Sequence, residues 1–416
     1  MKWLAKYHSI IEGRQFISEL ERGPFRNWVH LHLFTNVGEG LSELENRIDY
    51  EFPLGKLGQV FARSQVQRKL NTVFPWRHER TWMDLSRHTE FADQPRLRIA
   101  VSGATGLIGS SLKLFLTTGG HTILTLDRKR GGDENSIYWN PRTGEIEGEK
   151  LENLDAVVHL AGRNIAGGRW TGAAKREILG SRVDGTQLLA KTIAGLKQPP
   201  EVFVSASAIG IYANSSDPVD ETGAQGEGFL VEVCRAWEEA ANPAREAGIR
   251  VVHPRIGNVI SGRGGVLGKL LPFFRYGLGG RMGHGRQMMS WIQLDDLTAA
   301  IYRCIYDGRL SGPVNATTQA VTNQMFTDIL GSVLRRPTLA FVPEVAVNLV
   351  FGQMGRELLL QGQHVEPDAL RKVGFSPWFP DLESALRFET GKPFKHNPPF
   401  HPSPLPQSGT KGYLIS

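Results

Sequence analysis

Three glycines that follow a short apolar strand are the residues most clearly spaced for chemistry. In VSGATGLIG they follow the pattern G-x-x-G-x-x-G, at Gly103, Gly106 and Gly109. The first glycine permits a tight turn, the second lets a pyrophosphate approach the backbone, and the third lets the next helix pack closely. The free N–H groups at that helix N-terminus attract an anion. The pattern therefore predicts a dinucleotide site whose phosphates lie against Gly103, Thr105, Gly106, Leu107, Ile108 and Gly109.

The end of the following strand carries groups that choose between two dinucleotides. Asp127 stands where an acidic side chain holds the ribose hydroxyls of NAD. The next residues, Arg128, Lys129 and Arg130, suit the 2′-phosphate of NADP. An ordinary solvated turn is the alternative for these three charges. Arg128 favours NADP as the cofactor, and Asp127 leaves NAD open.

Strands that alternate with helices predict the scaffold that positions these residues. Apolar strands are expected over residues 99–102, 122–126, 155–160 and 202–207, and the longest helix between them over residues 169–193. Short connections of this kind indicate an α/β fold, a Rossmann-type doubly wound parallel sheet. Ligands bind at the carboxyl ends of such strands. The cofactor is therefore expected beside Leu160, Ala161 and Gly162, and the substrate beside Ser205, Ser207 and Tyr212.

Longer stretches resemble a known family. VSGATGLIGSSL, VVHLAG, VSASAIGIY, CRAWEEAA and GLGGRMGHGRQMMSWIQLDDL are similar to segments of atypical, extended short-chain dehydrogenase/reductases. More narrowly, they resemble the "epimerase family protein" group, whose members end in a small C-terminal domain of unknown function. The resemblance runs from about residue 98 to residue 388. It implies a Rossmann fold, NADP(H) binding and a nominal oxidoreductase or epimerase activity, without naming a substrate.

Against that resemblance, a catalytic pair is missing. Short-chain dehydrogenases usually combine a serine with Tyr-x-x-x-Lys, in which the lysine lowers the pKa of the tyrosine phenol. Ser207 matches the serine. On the helix GFLVEVCRAWEEAA the pair falls on Phe229 and Val233, or in another register on Leu230 and Cys234. Neither register supplies a hydroxyl or an ammonium group, so the usual proton relay is absent.

Three functions stay open at this point. The first is an NADP-dependent oxidoreductase or epimerase acting on a small carbonyl or sugar-like substrate. Its catalytic residues would be Ser207 and Tyr212, with His253, His284 and Lys269 as further candidates to face the cleft. The second is a non-catalytic NADP-binding sensor or scaffold. The third is a carrier of apolar ligands through the N-terminal segment.

The N-terminal segment has a different pattern. GRQFISEL, NWVHLHLFTNV and SELENRIDYEF predict antiparallel strands, followed by a helix over residues 57–83 with a break at Pro75. Residues 12–90 resemble the last part of the START-like helix-grip family, in which a curved sheet and a long helix enclose an apolar ligand. Because only part of that fold is matched, the fragment is either truncated or packs on the second domain or on another copy, as in a homo-oligomer.

Composition excludes several classes of protein. A net charge of +6 over 416 residues, without a dense basic run, indicates no nucleic-acid partner. Two cysteines fit a reducing compartment, and no window approaches the apolar length of a membrane span. A cytoplasmic protein without a signal peptide is the expectation. The residue spacing predicts no metal site.

Four segments are predicted along the chain: a helix-grip fragment (1–95), a Rossmann domain (96–320), a small C-terminal domain (321–390) and a disordered tail (391–416). The tail is rich in proline and serine. The glycine-rich residues 261–287 are expected to form a flap over the substrate cleft.

Overall fold

A computed structural model describes residues 3–39, 41–53 and 55–393. From residue 394 onward the predicted tail lies outside the described residues. The described chain falls into two compact units, one up to His78 and one from Glu79 onward. The predicted segment boundaries remain predictions.

The first unit is an antiparallel sheet followed by a helix, as the sequence predicts. Its elements are β1 (Leu4–Ile11), β2 (Gln15–Arg22), β3 (Asn27–Gly38), β4 (Leu41–Glu51) and the beginning of α1 (Gly55–Thr89), and the strands pair in chain order. Phe74 on α1 meets the ring of the buried His30 edge-on, so the helix covers part of one face of the sheet. The predicted break at Pro75 is wrong, because α1 continues through it. Proline removes one helical hydrogen bond, and a 35-residue helix retains the others.

The second unit contains the remaining strands. They are β5 (Arg98–Ser102), β6 (Thr122–Asp127), β7 (Ser136–Asn140), β8 (Glu145–Ile146), β9 (Ala156–His159), β10 (Val202–Ser205), β11 (Ser207–Ala208), β12 (Ser215–Val219), β13 (Arg250–Ile256), β14 (Asn258–Ser261), β15 (Gly280–Met282), β16 (Met288–Gln293), β17 (Gly312–Ala316), β18 (Gln319–Thr322), β19 (Ala340–Val342) and β20 (Gln363–Val365).

Helices alternate with these strands. They are α2 (Leu107–Thr118), α3 (Gly172–Ala194), α4 (Phe229–Glu239), α5 (Asn242–Glu246), α6 (Gly265–Arg275), α7 (Leu294–Tyr306), α8 (Asn323–Leu334), α9 (Glu344–Phe351), α10 (Gln353–Gly355), α11 (Asp368–Lys372) and α12 (Leu382–Thr390).

The large sheet has the doubly wound parallel topology that the sequence predicts. Its strands lie in the order β7, β6, β5, β9, β10, β13 and β17, all parallel, with β8 antiparallel to β7 and β11 beside the end of β13. Alternate side chains face opposite layers. Val101 packs with Leu112 of α2 and Ile301 of α7, whereas its neighbour Ala100 packs with Leu189 of α3. Both faces of the sheet are therefore buried, so ligands bind at the ends of the strands.

The glycine-rich segment differs from the expected flap. Residues 265–275 form α6, which buries Leu267, Leu271 and Phe274 along one face. Their spacing of four and three residues brings them onto that face. The high glycine content obscured this apolar stripe, so the expectation of a glycine-rich loop is wrong for residues 265–275.

Candidate functional site

A cavity of about 700 Å³ opens at the carboxyl ends of β5, β6 and β9. Eight of the eleven predicted cofactor residues line it: Gly103, Thr105, Gly106, Asp127, Arg128, Leu160, Ala161 and Gly162. The other three, Leu107, Ile108 and Gly109, are not among the residues that line it. The cavity is where an open α/β sheet binds a dinucleotide.

Close packing explains the glycines around this cavity. Gly103 has φ +70°, and a Cβ atom there would lie 2.9 Å from the amide nitrogen of Ala161. A Cβ at Gly109 would lie 2.1 Å from the carbonyl oxygen of Gly103, so α2 starts directly against the turn. Gly106 is the N-cap of α2 and has no capping side chain. The first N–H groups of α2 therefore have no side-chain cap and suit a phosphate.

A buried hydroxyl joins the two strands beside this turn. Ser102 Oγ lies 2.6 Å from His159 Nδ1 and accepts hydrogen bonds from the backbone N–H groups of Leu160 and Ala161. Burial lowers the pKa of His159 to about 3, so its imidazole is neutral at physiological pH. Because Ser102 Oγ already accepts twice, it donates its proton to Nδ1, and the ring proton is on Nε2. This arrangement holds Leu160 and Ala161 at the edge of the cavity.

Arginines at one end of this cavity lack carboxylate partners. Arg128 and Arg142 both line it, and neither forms an ion pair with a side chain in the described part of the chain. Arg130 instead pairs with Glu145 and lies 4.1 Å over the ring of Tyr138. Asp127 accepts a hydrogen bond from the backbone N–H of Lys129. Two guanidinium groups are thus available for an anion beside Asp127.

The sequence analysis missed Arg142. It follows β7, which pairs in parallel with β6 and brings the turn after Asn140 to the same sheet edge as Asp127. The alternation in residues 136–140 was the signal that would have revealed this strand.

A second cavity, of about 210 Å³, is lined by residues of α3, α4 and the segments around Met288 and Leu358. Of the two possible registers of the missing catalytic pair, Leu230 and Cys234 of the second both line it, whereas of the first Val233 lines it and Phe229 does not. Burial raises the pKa of the Cys234 thiol to about 12, so it is protonated at neutral pH. Neither register therefore supplies a phenol or an ammonium group at this cavity.

Ser207 and Tyr212 lie beside this cavity without lining it. Ser207 Oγ donates to Glu238 Oε1 over 2.7 Å, and Arg255 binds both oxygens of Glu238. The Tyr212 hydroxyl donates to Asn315 Oδ1 and accepts from Arg255, and Tyr212 is only 1% exposed. Burial acts to raise the pKa of Glu238, but the hydrogen bonds and charge of Arg255 outweigh it and leave that pKa lowered. The structure therefore brings the two predicted catalytic residues into one buried network that lines neither cavity.

The catalytic role of Tyr212 remains a prediction, and a Tyr212→Phe variant tests it. We expect unfolding free energy to fall by about 1–3 kcal/mol, because Asn315 and Arg255 lose a buried partner. Affinity for NADPH should stay within about twofold of the parent, since the ring still fills its place. Chemical denaturation and calorimetric titration of the same preparation measure both. Unchanged stability with impaired turnover would instead support the acid role.

Three further candidates also lie outside both cavities. His253 is buried on β13, with Nδ1 beside the Ser205 carbonyl oxygen, and burial lowers its pKa to about 4. Lys269 Nζ donates to the carbonyl oxygen of Ala166. His284 Nδ1 accepts from the backbone N–H of Arg286. Each of these three side chains has a structural partner, and none is among the residues that line a cavity.

Two family descriptions match the chain. The NAD dependent epimerase/dehydratase family matches residues 99–315, and a domain of unknown function (DUF1731) matches residues 342–389. Both matches begin after residue 98, so the START-like resemblance of the first unit stays a prediction.

Similar proteins occur in bacteria and in humans. Epimerase family protein Mb2239 of Mycobacterium bovis is 42% identical over 297 residues, covering 71% of this chain and 98% of the relative. A crystal structure described as the nucleoside-diphosphate sugar epimerase from Corynebacterium glutamicum has a TM-score of 0.76 and 30% identity, over 94% of this chain and 77% of that one. Human epimerase family protein SDR39U1, solved with NADPH, has a TM-score of 0.65 and 34% identity, over 70% of this chain and 98% of that one.

Membrane-spanning helices and metal sites are both absent from the described residues. No described helix is both long and apolar enough to cross a membrane. Within the same residues, histidine, cysteine and acidic side chains form no group of three or more that could hold a metal ion.

Proposed function

This chain belongs to the NAD dependent epimerase/dehydratase family, and we propose a function on that basis. It is an NADP(H)-dependent oxidoreductase of the extended short-chain type that acts on a small carbonyl compound. The observation that carries the cofactor choice is the pair Arg128 and Arg142, two cations without carboxylate partners among the described residues, at the end of the first cavity. The human relative solved with NADPH supports the same choice.

The residues of the first cavity fit such a cofactor. Backbone less than 3 Å away excludes side chains at Gly103 and Gly109, so the turn packs closely against α2, whose uncapped N-terminal N–H groups can bind a pyrophosphate. Arg128 and Arg142 would hold the 2′-phosphate, and Asp127 the neighbouring ribose hydroxyl. Such a cofactor would supply the hydride that reduces a carbonyl carbon, and the proton for the oxygen would come from solvent. The chain itself binds, orients and shields the reacting groups.

Calorimetric titration with NADPH, NADP, NADH and NAD is the direct test. We expect the two phosphorylated nucleotides to bind at least about tenfold more tightly, because a charge-assisted hydrogen bond contributes about 1.5–3 kcal/mol. A preference for NADH and NAD would mean that Asp127 determines the cofactor specificity. Failure of all four to bind would contradict the enzyme proposal.

A non-catalytic NADP-binding sensor or scaffold is the second candidate. The specific observation in its favour is that α4 carries neither a tyrosine nor a lysine, so that in either register the usual proton relay is missing from this helix. Tight NADPH binding without oxidation by any uncharged or anionic carbonyl compound would favour this candidate over an oxidoreductase.

A nucleoside-diphosphate sugar is the substrate suggested by the description of the Corynebacterium structure. Such a substrate would need a site for its diphosphate in the second cavity. The size and the charges of the second cavity therefore bear on whether this chain can bind such a substrate.

A further inference from the structure

The second cavity is small for a nucleotide-linked substrate. It encloses about 210 Å³, against about 700 Å³ for the first cavity. Pockets for drug-sized ligands usually enclose roughly 300–1,000 Å³. The space therefore suits a compact molecule. Its walls are mostly apolar, with Leu230, Trp237, Met288 and Leu358 among them.

Charges in the second cavity are equally unsuited to a diphosphate. Among the residues that line it, the acidic and basic side chains are Glu357 and Arg182. Glu357 Oε2 accepts from the backbone N–H of Leu230 at the start of α4, so it occupies the helix end where a phosphate would otherwise bind. A carboxylate in the wall also repels an anion. The wall of the second cavity therefore contributes one arginine, whereas a diphosphate is usually bound by several cations.

Arg182 lies where the two cavities adjoin. It lines the second cavity, and a Cβ atom on Gly162 of the first cavity would be 3.3 Å from its Cζ atom. Its Nη1 donates to the carbonyl oxygens of Arg163 and Ile178, and its Cζ lies 4.9 Å from the ring centroid of Trp237. It forms no ion pair with any described side chain. Burial lowers its pKa, yet arginine remains cationic at neutral pH because its ordinary pKa exceeds 12.

Arg182 brings a positive charge to the second cavity from a different helix than the one that usually carries the lysine. In the usual arrangement the positive charge is on the helix that here is α4, whereas Arg182 is on α3. A partly buried cation without a carboxylate partner is costly unless a ligand uses it. A carbonyl oxygen that gains negative charge during reduction is such a ligand.

Gln287 provides an independent sign of a ligand. It is only 6% exposed and lines the second cavity. Its Nε2 donates to the carbonyl oxygens of Met282 and Leu359, which fixes the orientation of the amide. Its Oε1 is buried and has no hydrogen-bond partner. Buried acceptors are nearly always satisfied, so this oxygen calls for a donor from a ligand.

We propose that the second cavity binds a small, uncharged, mostly apolar carbonyl compound that carries one hydroxyl or amide donor. Arg182 holds the carbonyl oxygen, and Gln287 Oε1 accepts from the donor. The size of the cavity and the scarcity of cations in its wall disfavour nucleoside-diphosphate sugars. This assignment rests on the proposed function, since the first cavity must hold the nucleotide beside it.

Binding measurements test the assignment without relying on turnover. The full chain, with and without saturating NADP, is titrated calorimetrically with 3-hydroxycyclohexanone, cyclohexanone, cyclohexanol and UDP-glucose. We expect the hydroxyketone to bind about tenfold more tightly than cyclohexanone, because cyclohexanone has no donor for Gln287. Cyclohexanol, which lacks the carbonyl, should bind more weakly than the hydroxyketone, and UDP-glucose should not bind. Tighter binding of UDP-glucose, or no binding of either ketone, would overturn the proposal.

Substitution of Arg182 tests its role separately. Arg182→Met should weaken binding of the hydroxyketone about tenfold or more, and Arg182→Lys should restore part of the loss by returning the charge. Affinity for 2′,5′-ADP, a fragment of NADP that lacks nicotinamide, reports on the first cavity and should not change. Equal ketone affinity in the parent and Arg182→Met would remove Arg182 from the site. If the parent protein did not bind 2′,5′-ADP, that result would instead contradict the proposed cofactor function.

Discussion

An Arg128→Ala/Arg142→Ala double variant is expected to bind NADPH at least about 100-fold more weakly than the parent, while its affinity for NADH stays within about threefold. Both guanidinium groups line the first cavity without a carboxylate partner among the described residues. Each charge-assisted contact to a phosphate contributes about 1.5–3 kcal/mol, and two together exceed a factor of 100. Calorimetric titration at fixed ionic strength measures both affinities, because exposed charges are screened by salt.

The matched control removes the same number of charges nearby. In Lys129→Ala/Arg130→Ala, neither altered residue lines the cavity, and Arg130 is already engaged by Glu145 and Tyr138. We expect this control to bind NADPH within about threefold of the parent, since only the general attraction of the basic turn is lost. A similar loss in both double variants would mean that long-range charge, and not contact, selects the phosphate. An equal loss of NADH affinity in the first variant would indicate a damaged turn.

Local patterns made the nucleotide-binding half of the fold predictable. The apolar strand, the glycine spacing and the following helix are contiguous, so residues 98–127 specify β5, α2 and β6 almost by themselves. The acidic and basic residues at the end of β6 were found in the same way. Family resemblance then extended the prediction to residues that are far apart in the chain.

Features that depend on distant contacts were not predictable from such patterns. Arg142 reaches the first cavity only because β7 pairs with β6. Tyr212 does not line the second cavity, because its hydroxyl binds Arg255 and Asn315, which are 43 and 103 positions away. The motif VSASAIGIY indicates that a tyrosine follows the strand, but it does not indicate which residues form hydrogen bonds with the tyrosine hydroxyl. Gln287 is similar, since its significance lies in an oxygen that tertiary packing leaves without a partner.

Gly109→Ala is expected to abolish NADPH binding and to lower the unfolding free energy by about 3 kcal/mol or more. Helix propensity alone predicts the opposite sign, because alanine in a helix is favoured over glycine by roughly 0.5–1 kcal/mol. Sterics outweigh that gain here. The added Cβ would lie 2.1 Å from the carbonyl oxygen of Gly103 and 2.7 Å from its carbon, and both atoms are backbone. Relief requires α2 to move off the turn.

That movement would displace the phosphate-binding end of α2 from the cavity, so stability and affinity should fall together. Gly308→Ala is the control, since nothing lies within 4 Å of a Cβ there and its φ is not positive. Denaturant unfolding and calorimetric titration with NADPH should leave Gly308→Ala within about 0.5 kcal/mol of the parent, as is usual for surface substitutions. If Gly109→Ala matched that control in both measurements, close packing of α2 against Gly103 would not be what shapes the nucleotide site. If it lost stability but kept its affinity, the helix N-terminus would contribute little to holding the pyrophosphate, and binding would have to depend mainly on Arg128 and Arg142.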